Sequence, residues 1–444
     1  MSTSALTDWM VRQGAELTKV ALARDAYGGR MMVAAADIRD GELVVRVPLS
    51  AMLTLDVARR SPAGQAVLSA GLQGPSAQAL LTAYLLEEKR RDNSPIAPYL
   101  ATLPAAFPTV PVFCPQDVLP LLKGSLAARL LVRRREAVLR EVLALRRAVP
   151  ALRAASIGEL FWGSTVVVTR VFGVTIGGSP TEALVPIADM MNHRRPPDVS
   201  WTFDEAMGAF VIRAVRDIQS GEEICGSYGR KANHRYFVHY GFALAEGADD
   251  EAEVRLSIPE SVPRRGAKQH ALSRAFGSEE TYRVSSRVRA DANLRTLSFL
   301  RTACANSGET NRALRLLADG ELVPPLSHRN EAAALALLHG ACVEALGRFD
   351  SPLEDDDLAL LARPDLPPQS RNAVLVRRGE KRLLRAYLRL TDTAIPMLRL
   401  PRRRFFTEAV FYRGDALTTS YLMDAAMALA PRDARRVPAN HAGL

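Results

Sequence analysis

The chain has 444 residues, of which 48% are hydrophobic and 24% charged, and its formal net charge is +10. This length exceeds what one hydrophobic core usually organises, so we expect two or three domains. The composition excludes wholesale disorder, and no apolar run reaches the roughly 18 to 20 residues that a membrane-spanning helix needs. Because residues 1–11 also lack the pattern of a signal or transit peptide, the sequence predicts a cytoplasmic protein.

The positive charge would suit an acidic partner such as nucleic acid. However, 52 of the 58 basic residues are Arg, and this bias is typical of genome composition rather than of a binding surface. The cysteines lie far apart, whereas zinc ligands come in closely spaced pairs, so we interpret them as reduced core thiols and predict no metal site. They are Cys114, Cys225, Cys304 and Cys342.

In chain order, residues 30–55 combine β-prone stretches with the tight-turn pair Asp40-Gly41 and predict an early hairpin. From Ser76 the apolar spacing becomes helical, which indicates a helical insertion at about 58–160. Residues 121–153 predict a long amphipathic helix, interrupted at most once. Its apolar stripe includes Leu131, Val138, Val142, Leu145 and Val149.

The other face of this predicted helix is basic, since residues 121–153 contain nine basic and two acidic side chains. A phosphate-binding surface is one hypothesis. No aromatic residues are interleaved to stack on bases, however, and runs of charge are commonly solvated faces. Nucleic-acid binding is therefore the less favoured interpretation.

Strand patterns return at 164–176, 199–215 and 222–227, and after about residue 260 the chain is predominantly helical, most clearly at 330–349. The predicted fold class is therefore α+β, with a β-rich core split by a helical insertion and followed by helices.

Two helical segments bear on metal binding. Ser351 and Glu354 have capping-box spacing, so we interpret the acidic residues 354–357 as a helix N-terminus rather than a metal site. His234 and His239 are five residues apart and would diverge on a helix, which argues against a metal pair there.

Two stretches place polar groups directly against apolar β-like sequence: LVPIADMMNH at 184–193 and GEEICGSYGRKANHRYFVHYGF at 221–242. For any one of these residues, a hydrogen-bonded structural role is an equally good interpretation. Together the stretches resemble the SET-domain methyltransferases, and more closely the Rubisco large-subunit methyltransferase-like branch. The resemblance also includes VAAADIRDGELVVRVP (33–48), SPIAPYLATLP (94–104), SPLEDDDLALL and AVLVRRGEKRLLRAYL (373–388).

The resemblance implies a SET domain over 1–255 and an all-α substrate-binding domain over 256–444. It implies S-adenosylmethionine as cofactor and the transfer of a methyl group to lysine in a non-histone protein. Relatives in this branch also methylate histidine, so a histidine acceptor is the sibling hypothesis. We expect a protein substrate, no membrane association and a monomer.

By match to the family motifs, Tyr228 is the predicted catalytic residue. The predicted cofactor-binding residues are Gly28, Gly29, Arg30, Arg170, Asn192 and His193. The predicted substrate-pocket residues are Asp189, Tyr240 and Phe242. The branch typically has Gly-x-Gly near its N-terminus, but Met31 stands where the second glycine is expected. This departure predicts weaker cofactor binding and favours a further hypothesis, a catalytically inactive SET-like protein-binding module.

Overall fold

The computed structural model describes residues 3–17, 19–24, 29–71, 76–278, 280–351 and 353–430. The chain divides into two compact units, which we call unit 1 and unit 2. Unit 1 comprises Met1–Phe113 and Val132–Arg230, and unit 2 comprises Cys114–Leu131 and Lys231–Leu444. This division follows compactness alone, so the predicted domain limits, 1–255 and 256–444, stay a prediction.

Helices make up most of the regular structure, and the strands between them are short. The helices are α1 (Thr3–Arg12), α2 (Leu55–Arg60), α3 (Pro62–Ser69), α4 (Ala77–Arg90), α5 (Ala97–Leu100), α6 (Pro115–Val118), α7 (Leu126–Ala148), α8 (Ile157–Arg170), α9 (Asn233–Tyr240), α10 (Arg265–Phe276), α11 (Asp291–Ala303), α12 (Ser307–Ala318), α13 (His328–Gly347), α14 (Glu354–Leu361), α15 (Pro368–Leu398), α16 (Arg402–Phe411) and α17 (Ala416–Leu429). The strands are β1 (Val20–Arg24), β2 (Arg30–Ala34), β3 (Leu43–Pro48), β4 (Leu53–Thr54), β5 (Val171–Ile176), β6 (Ser179–Leu184), β7 (Val199–Asp204), β8 (Ala209–Ala214), β9 (Glu251–Arg255) and β10 (Thr281–Ser285).

Unit 1 contains, within its described residues, three small antiparallel sheets with the strand orders β1-β2, β3-β8-β7 and β4-β6-β5. The predicted early hairpin is wrong, because β2 pairs with β1 and β3 pairs with β8. The Asp40-Gly41 turn instead packs against a later turn: Gly41 donates its N–H to the Ala214 carbonyl, and Ile38 pairs with Ile218. Long-range pairing therefore outweighs the local turn signal.

The segment 164–176 differs from its prediction as a strand, since α8 continues to Arg170 and only β5 is extended. The Ser156 hydroxyl caps α8 by accepting from the Glu159 N–H, and Val166 and Val167 are fully buried. Tertiary packing of the helix overrides the β-propensity of its valines. The 222–227 segment likewise forms only isolated bridges, at Glu223 and Gly226, rather than a strand.

The predicted amphipathic helix is confirmed as α7. The five residues of the predicted apolar stripe are all buried, and the last of them, Val149, lies just beyond the end of α7. The residues of α7 up to Leu131 belong to unit 2 and those from Val132 to unit 1. The helix that begins after Ser76 is confirmed as α4, whose first turn is capped by the Ser76 hydroxyl.

Unit 2 is predominantly helical, with a core that includes α11, α13, α15 and α17 and with the two-stranded sheet β9-β10. The predicted helix at 330–349 is confirmed as α13. The capping-box prediction is wrong: the cap position of α14 is Leu353, and the Ser351 hydroxyl instead contacts Asp356 and accepts from the Leu353 N–H. The acidic first turn is present, and its Asp357 binds the buried Lys381 at 2.8 Å.

All four cysteines are free thiols, of which Cys225, Cys304 and Cys342 are buried and Cys114 is half-buried. Burial raises the pKa of Cys342 to about 12, so this thiol is inert at neutral pH. Among the described residues, none of the helices combines the length and apolar character that crossing a bilayer requires.

Candidate active site

Two segments of unit 1 run side by side and form the centre of the candidate site. His193 pairs with Gly226 in parallel: Gly226 donates to the Asn192 carbonyl and Arg194 donates to the Gly226 carbonyl, both at 3.0 Å. The two polar stretches predicted at 184–193 and after 221 therefore meet in the folded chain.

The buried Asp198 locks these two segments together. Its Oδ1 accepts from Arg194 at 2.9 Å and from Arg216 at 2.7 Å, and its Oδ2 accepts from the Cys225 N–H at 2.9 Å. The carboxylate is 2% exposed, so these charged and backbone hydrogen bonds compensate its desolvation.

Tyr228 is held through both its backbone and its side chain. Its N–H donates to His193 Nδ1 at 3.0 Å, and its hydroxyl donates to the Met191 carbonyl at 2.8 Å. The two rings lie with centroids 5.3 Å apart. Because Nδ1 accepts a hydrogen bond, the proton of the neutral imidazole is on Nε2. The adjacent Asn192 donates its side-chain amide to Glu223 Oε1 at 2.7 Å, which fixes the Asn-His pair from the other side.

Arg170 and Asp189 form a buried ion pair near these residues, with Arg170 Nη1 at 3.2 Å from Asp189 Oδ2 and 2.8 Å from the Asp189 carbonyl. The fully buried Tyr99 donates its hydroxyl to the same Oδ2 at 2.7 Å. Burial and the charge of Asp189 raise the pKa of Tyr99 well above its ordinary value, so Tyr99 remains a donor. Burial, the largest single effect, lowers the pKa of Arg170, but the charges of Asp189 and Tyr99 and the hydrogen bond to Asp189 together raise that pKa above its ordinary value.

Two buried atoms of this ion pair, Asp189 Oδ1 and Arg170 Nε, have no hydrogen-bond partner among the described residues. The turn that delivers Asp189 is also strained, since Ile187 has φ of +73° and a β-branched residue rarely adopts this conformation. Orphaned polar atoms and backbone strain together are typical of a functional site rather than of an optimised core.

Arg30, in β2, is half-buried and donates a long hydrogen bond, 3.4 Å, to the Leu103 carbonyl. Burial, followed by the charges of Arg170 and Arg24, lowers the pKa of Arg30. The guanidinium groups of Arg30 and Arg170 therefore act on the same region. Positive charge here fits a ligand that carries a carboxylate.

The N-terminal positions have separate outcomes. Gly28 lies outside the described residues, whereas Gly29 is exposed beside Arg30. Met31 is paired with Ala23 in β2 and its φ is not positive, so the backbone conformation at this position does not require glycine. The expectation of weaker cofactor binding rests on close approach to the backbone rather than on φ, so it stays a prediction.

Tyr240 and Phe242 belong to unit 2, at the end of α9 and beyond the left-handed Gly241. Their ring centroids are 6.1 Å apart, and the Lys231 ammonium lies 6.0 Å from the Tyr240 ring centroid. Burial raises the pKa of Tyr240. Their assignment to the substrate pocket stays a prediction.

Family models match most of this chain. The SET domain model matches residues 29–229, and the Rubisco LSMT substrate-binding model matches residues 259–384. The chain is a SET-domain protein. The order of the two domains places it in the Rubisco LSMT-like branch, and the predicted α+β fold class is confirmed.

Solved structures of LSMT are similar to this SET-domain protein along nearly its whole length. The crystal structure of the SET domain of LSMT bound to lysine and AdoHcy has a TM-score of 0.73 at 19% identity, and covers 94% of this chain and 98% of that chain. The structure of Rubisco LSMT bound to AdoMet has a TM-score of 0.71 at 19% identity, and covers 95% of this chain and 100% of that chain.

The curated relatives are longer proteins, of which this chain matches only a part. The actin-histidine N-methyltransferase of Gallus gallus is 23% identical over 397 residues, which is 85% of this chain and 66% of that protein. The Mus musculus protein of the same name is 24% identical with the same coverage. This chain therefore spans 66% of the length of these relatives.

Sequence reasoning missed Tyr99, Asp198 and Glu223. Tyr99 lies inside the SPIAPYLATLP motif. This motif contributes to the family resemblance, but the resemblance assigns no role to its individual residues. Asp198 and Glu223 flank the two recognised stretches, and no spacing rule in the sequence singles them out.

Proposed function

We propose that this SET-domain protein is an S-adenosylmethionine-dependent N-methyltransferase that modifies a lysine side chain of a non-histone protein. The observation that carries the proposal is the fixation of Tyr228 between His193 Nδ1 and the Met191 carbonyl. Because the hydroxyl proton is donated to the Met191 carbonyl, the Tyr228 oxygen acts towards a substrate N–H group as an acceptor.

The donor set of the site fits S-adenosylmethionine. Arg30 and Arg170 provide positive charge for its carboxylate, and the half-buried Asn192 and His193 provide polar contacts from the adjoining segment. When bound, the cofactor supplies an electrophilic methyl group. The residues of this chain then have to hold the acceptor nitrogen in line and keep water away.

A lysine acceptor must lose its proton before its nitrogen can attack. From a reference pKa near 10.4 to pH 7, this deprotonation costs about 4.6 kcal/mol. Burial of the acceptor lowers the pKa of its amine. A dedicated strong base is therefore not required. The orphaned Asp189 Oδ1 offers an acceptor for an N–H of the substrate.

A histidine acceptor is the second candidate, and the names of the curated relatives favour it. Neutral imidazole is a major species at pH 7, so its nitrogen attacks without the deprotonation cost of lysine. Both acceptors present an N–H group to the same residues. The methylated amino acid in the product, rather than the site residues described above, distinguishes a lysine acceptor from a histidine acceptor.

Calorimetric titration with S-adenosylmethionine tests the cofactor site. We expect micromolar binding by the unaltered protein, loss of binding in Asn192→Ala, and unchanged binding in the matched control Asn311→Ala, an exposed residue of unit 2. Absence of binding by the folded, unaltered protein would contradict the proposal and favour the inactive protein-binding module.

Transfer of a labelled methyl group to proteins of the source lysate tests the chemistry. Tyr228→Phe is expected to reduce transfer at least 100-fold while cofactor binding persists, because only the hydroxyl is removed. The control is Tyr282→Phe, which changes a tyrosine packed on Phe299 in unit 2. Full activity of Tyr228→Phe would exclude the proposed role. Amino-acid analysis of the labelled protein separates methyllysine from methylhistidine.

A cytoplasmic location and a monomeric state complete the proposal. The buried free thiols support a reducing compartment. Sedimentation of the purified protein would measure its oligomeric state directly.

A further inference from the structure

The outward face of α7 within unit 1 carries a row of arginines. Arg133, Arg140 and Arg147 are exposed and follow one another at intervals of seven residues, so they lie on one side of the helix. With a rise of about 1.5 Å per residue, the row spans about 21 Å. Val138 and Val142, on the opposite side, are buried in the core of unit 1. We call the three exposed residues the arginine row.

The arginine row has no carboxylate within 4 Å among the residues that the structure describes. Some other arginines of unit 1 are paired: Arg90 binds Glu159 at 2.7 Å, and Arg46 binds Glu16 at 3.2 Å. The exposed Arg59 also forms no ion pair within the described residues, so what distinguishes the arginine row is the alignment of its three charges on one helix face.

The two carboxylates of α7 do not neutralise the row. Glu141 accepts a hydrogen bond from the Ser76 hydroxyl, and Glu136 forms no ion pair in the described chain. Successive members of the row are about 10 Å apart, beyond the Debye length of about 8 Å at physiological ionic strength, so each arginine is expected to attract its own carboxylate and the attraction should weaken as salt rises.

An apolar row runs beside the arginine row. Val132 is 43% exposed and Leu139 is 40% exposed, and these two residues are also seven apart. Aromatic side chains that could stack on bases are missing from α7, whose sequence contains none. A basic row beside an apolar row fits a protein segment with carboxylates and apolar side chains better than it fits a nucleic acid.

We propose that the arginine row and its apolar neighbours form a docking surface for an acidic, leucine-containing segment of the methyl-acceptor protein. The identity of the partner as the acceptor rests on the proposed function. Carboxylates of the segment face the arginine row, and its apolar side chains cover Val132 and Leu139. The surface gives the enzyme a means of selecting its substrate protein that does not depend on the target side chain itself.

Fluorescence anisotropy with the full-length protein tests the surface. The probe is a labelled 20-residue peptide of glutamates with leucine at every third or fourth position. The variant combines Arg133→Glu, Arg140→Glu and Arg147→Glu, which is expected to weaken binding more than tenfold. The control combines Arg59→Glu, Arg312→Glu and Arg315→Glu, which changes the net charge equally at other exposed positions and is expected to weaken binding less than threefold.

Two further probes decide the class of partner. A 20-nucleotide single-stranded RNA is expected to bind more weakly than the peptide at 150 mM salt. Leu139→Ser is expected to weaken binding of the leucine-containing peptide at least threefold. Binding of a peptide with serine in place of leucine is expected to stay unchanged. Equal weakening by both triple variants, or tighter binding of the RNA, would overturn the proposal.

Methyl transfer to lysate proteins links the surface to the proposed function. If the unaltered protein transfers methyl groups and the arginine-row variant does so at the same rate, the acceptor does not dock there although the enzymatic function stands. If the unaltered protein transfers none while peptide binding still requires the row, the function fails and the surface stands. Circular dichroism and S-adenosylmethionine binding of the variant confirm that its fold is intact.

Discussion

Glu380 is a buried carboxyl group whose protonation should set much of the pH dependence of stability. It lies on α15 and is 3% exposed. Ser125 Oγ donates to its Oε1 at 2.7 Å, and the Leu126 N–H donates to its Oε2 at 3.0 Å, so it binds the first turn of α7. Burial raises the pKa of Glu380 to about 8, although these hydrogen bonds oppose the shift.

The size of the effect on the free energy of unfolding follows from the linkage between proton binding and folding. The ordinary pKa of this carboxyl is 4.5, so between pH 4.5 and 8 the folded state holds a proton that the unfolded state has released. The free energy of unfolding therefore falls as the pH rises through this window, by about 1.4 kcal/mol per pH unit for one group. At pH 7 the cost relative to pH 4.5 is about 3 kcal/mol.

Glu380→Gln should remove this cost. The amide is uncharged at every pH and retains both contacts, because its oxygen accepts from the Leu126 N–H and its NH₂ group donates to the Ser125 hydroxyl. We expect the variant to match the unaltered protein near pH 4.5 and to be about 3 kcal/mol more stable at pH 7. Burial also raises the pKa of Asp250 to about 7, so the free energy of unfolding of both proteins should retain some dependence on pH.

Urea unfolding followed by far-ultraviolet circular dichroism, at half-unit steps from pH 5 to 8.5, measures the slope. Glu260→Gln, at an exposed position of unit 2, is the matched control and should retain the original profile. Parallel profiles for Glu380→Gln and the unaltered protein would contradict this prediction, since they would mean that Glu380 does not bind a proton on folding.

Three further substitutions probe the site and the fold. Tyr99→Phe removes a hydrogen bond to the buried Asp189 carboxylate and should cost about 2 kcal/mol of unfolding free energy and weaken methyl transfer. Asp198→Asn should cost about 2 kcal/mol and weaken S-adenosylmethionine binding, because the amide cannot accept from all of its donors. Gly124→Ala should cost at least about 2 kcal/mol, since φ is +84° and the added Cβ would lie 2.6 Å from the Arg348 carbonyl oxygen.

Each of these substitutions has a control that makes the same amino-acid exchange at a different position of the chain. Tyr282→Phe, Asp355→Asn and Gly266→Ala should each change the free energy of unfolding by less than about 0.5 kcal/mol. Gly266 has open space around its missing Cβ, and Asp355 is exposed. If a site variant and its control lose equal stability, the contact assigned to that site residue is not the cause.

The elements predicted correctly from sequence are those whose signal is local and periodic. The apolar stripe of α7 and the helical spacing of α13 each repeat over several turns, so a wrong assignment would expose many apolar groups. The prediction of an early hairpin is wrong because β3 finds its partner β8 far along the chain, which no local turn signal encodes. The strand prediction at 164–170 is wrong because valine-rich sequence is compatible with a buried helix.

The candidate site shows the same division. Motif resemblance selects Asn192, His193 and Tyr228, and the fold brings them into contact. Tyr99 cannot be found this way, since its hydroxyl bonds to a carboxylate 90 residues away. Asp198 acts through three donors from different segments, and only the folded chain brings them together.

The pairing of β3 with β8 has a consequence for synthesis. Pro48 pairs with Ala209, about 160 residues later, and ribosomes add about 5 to 20 residues per second. The nascent chain therefore carries β3 without its partner for about 8 to 30 s. During this interval the apolar Val45 and Val47, which are fully buried in the finished fold, are available to bind a chaperone or another nascent chain. The yield of folded protein in a cell should accordingly depend on translation speed between these two strands.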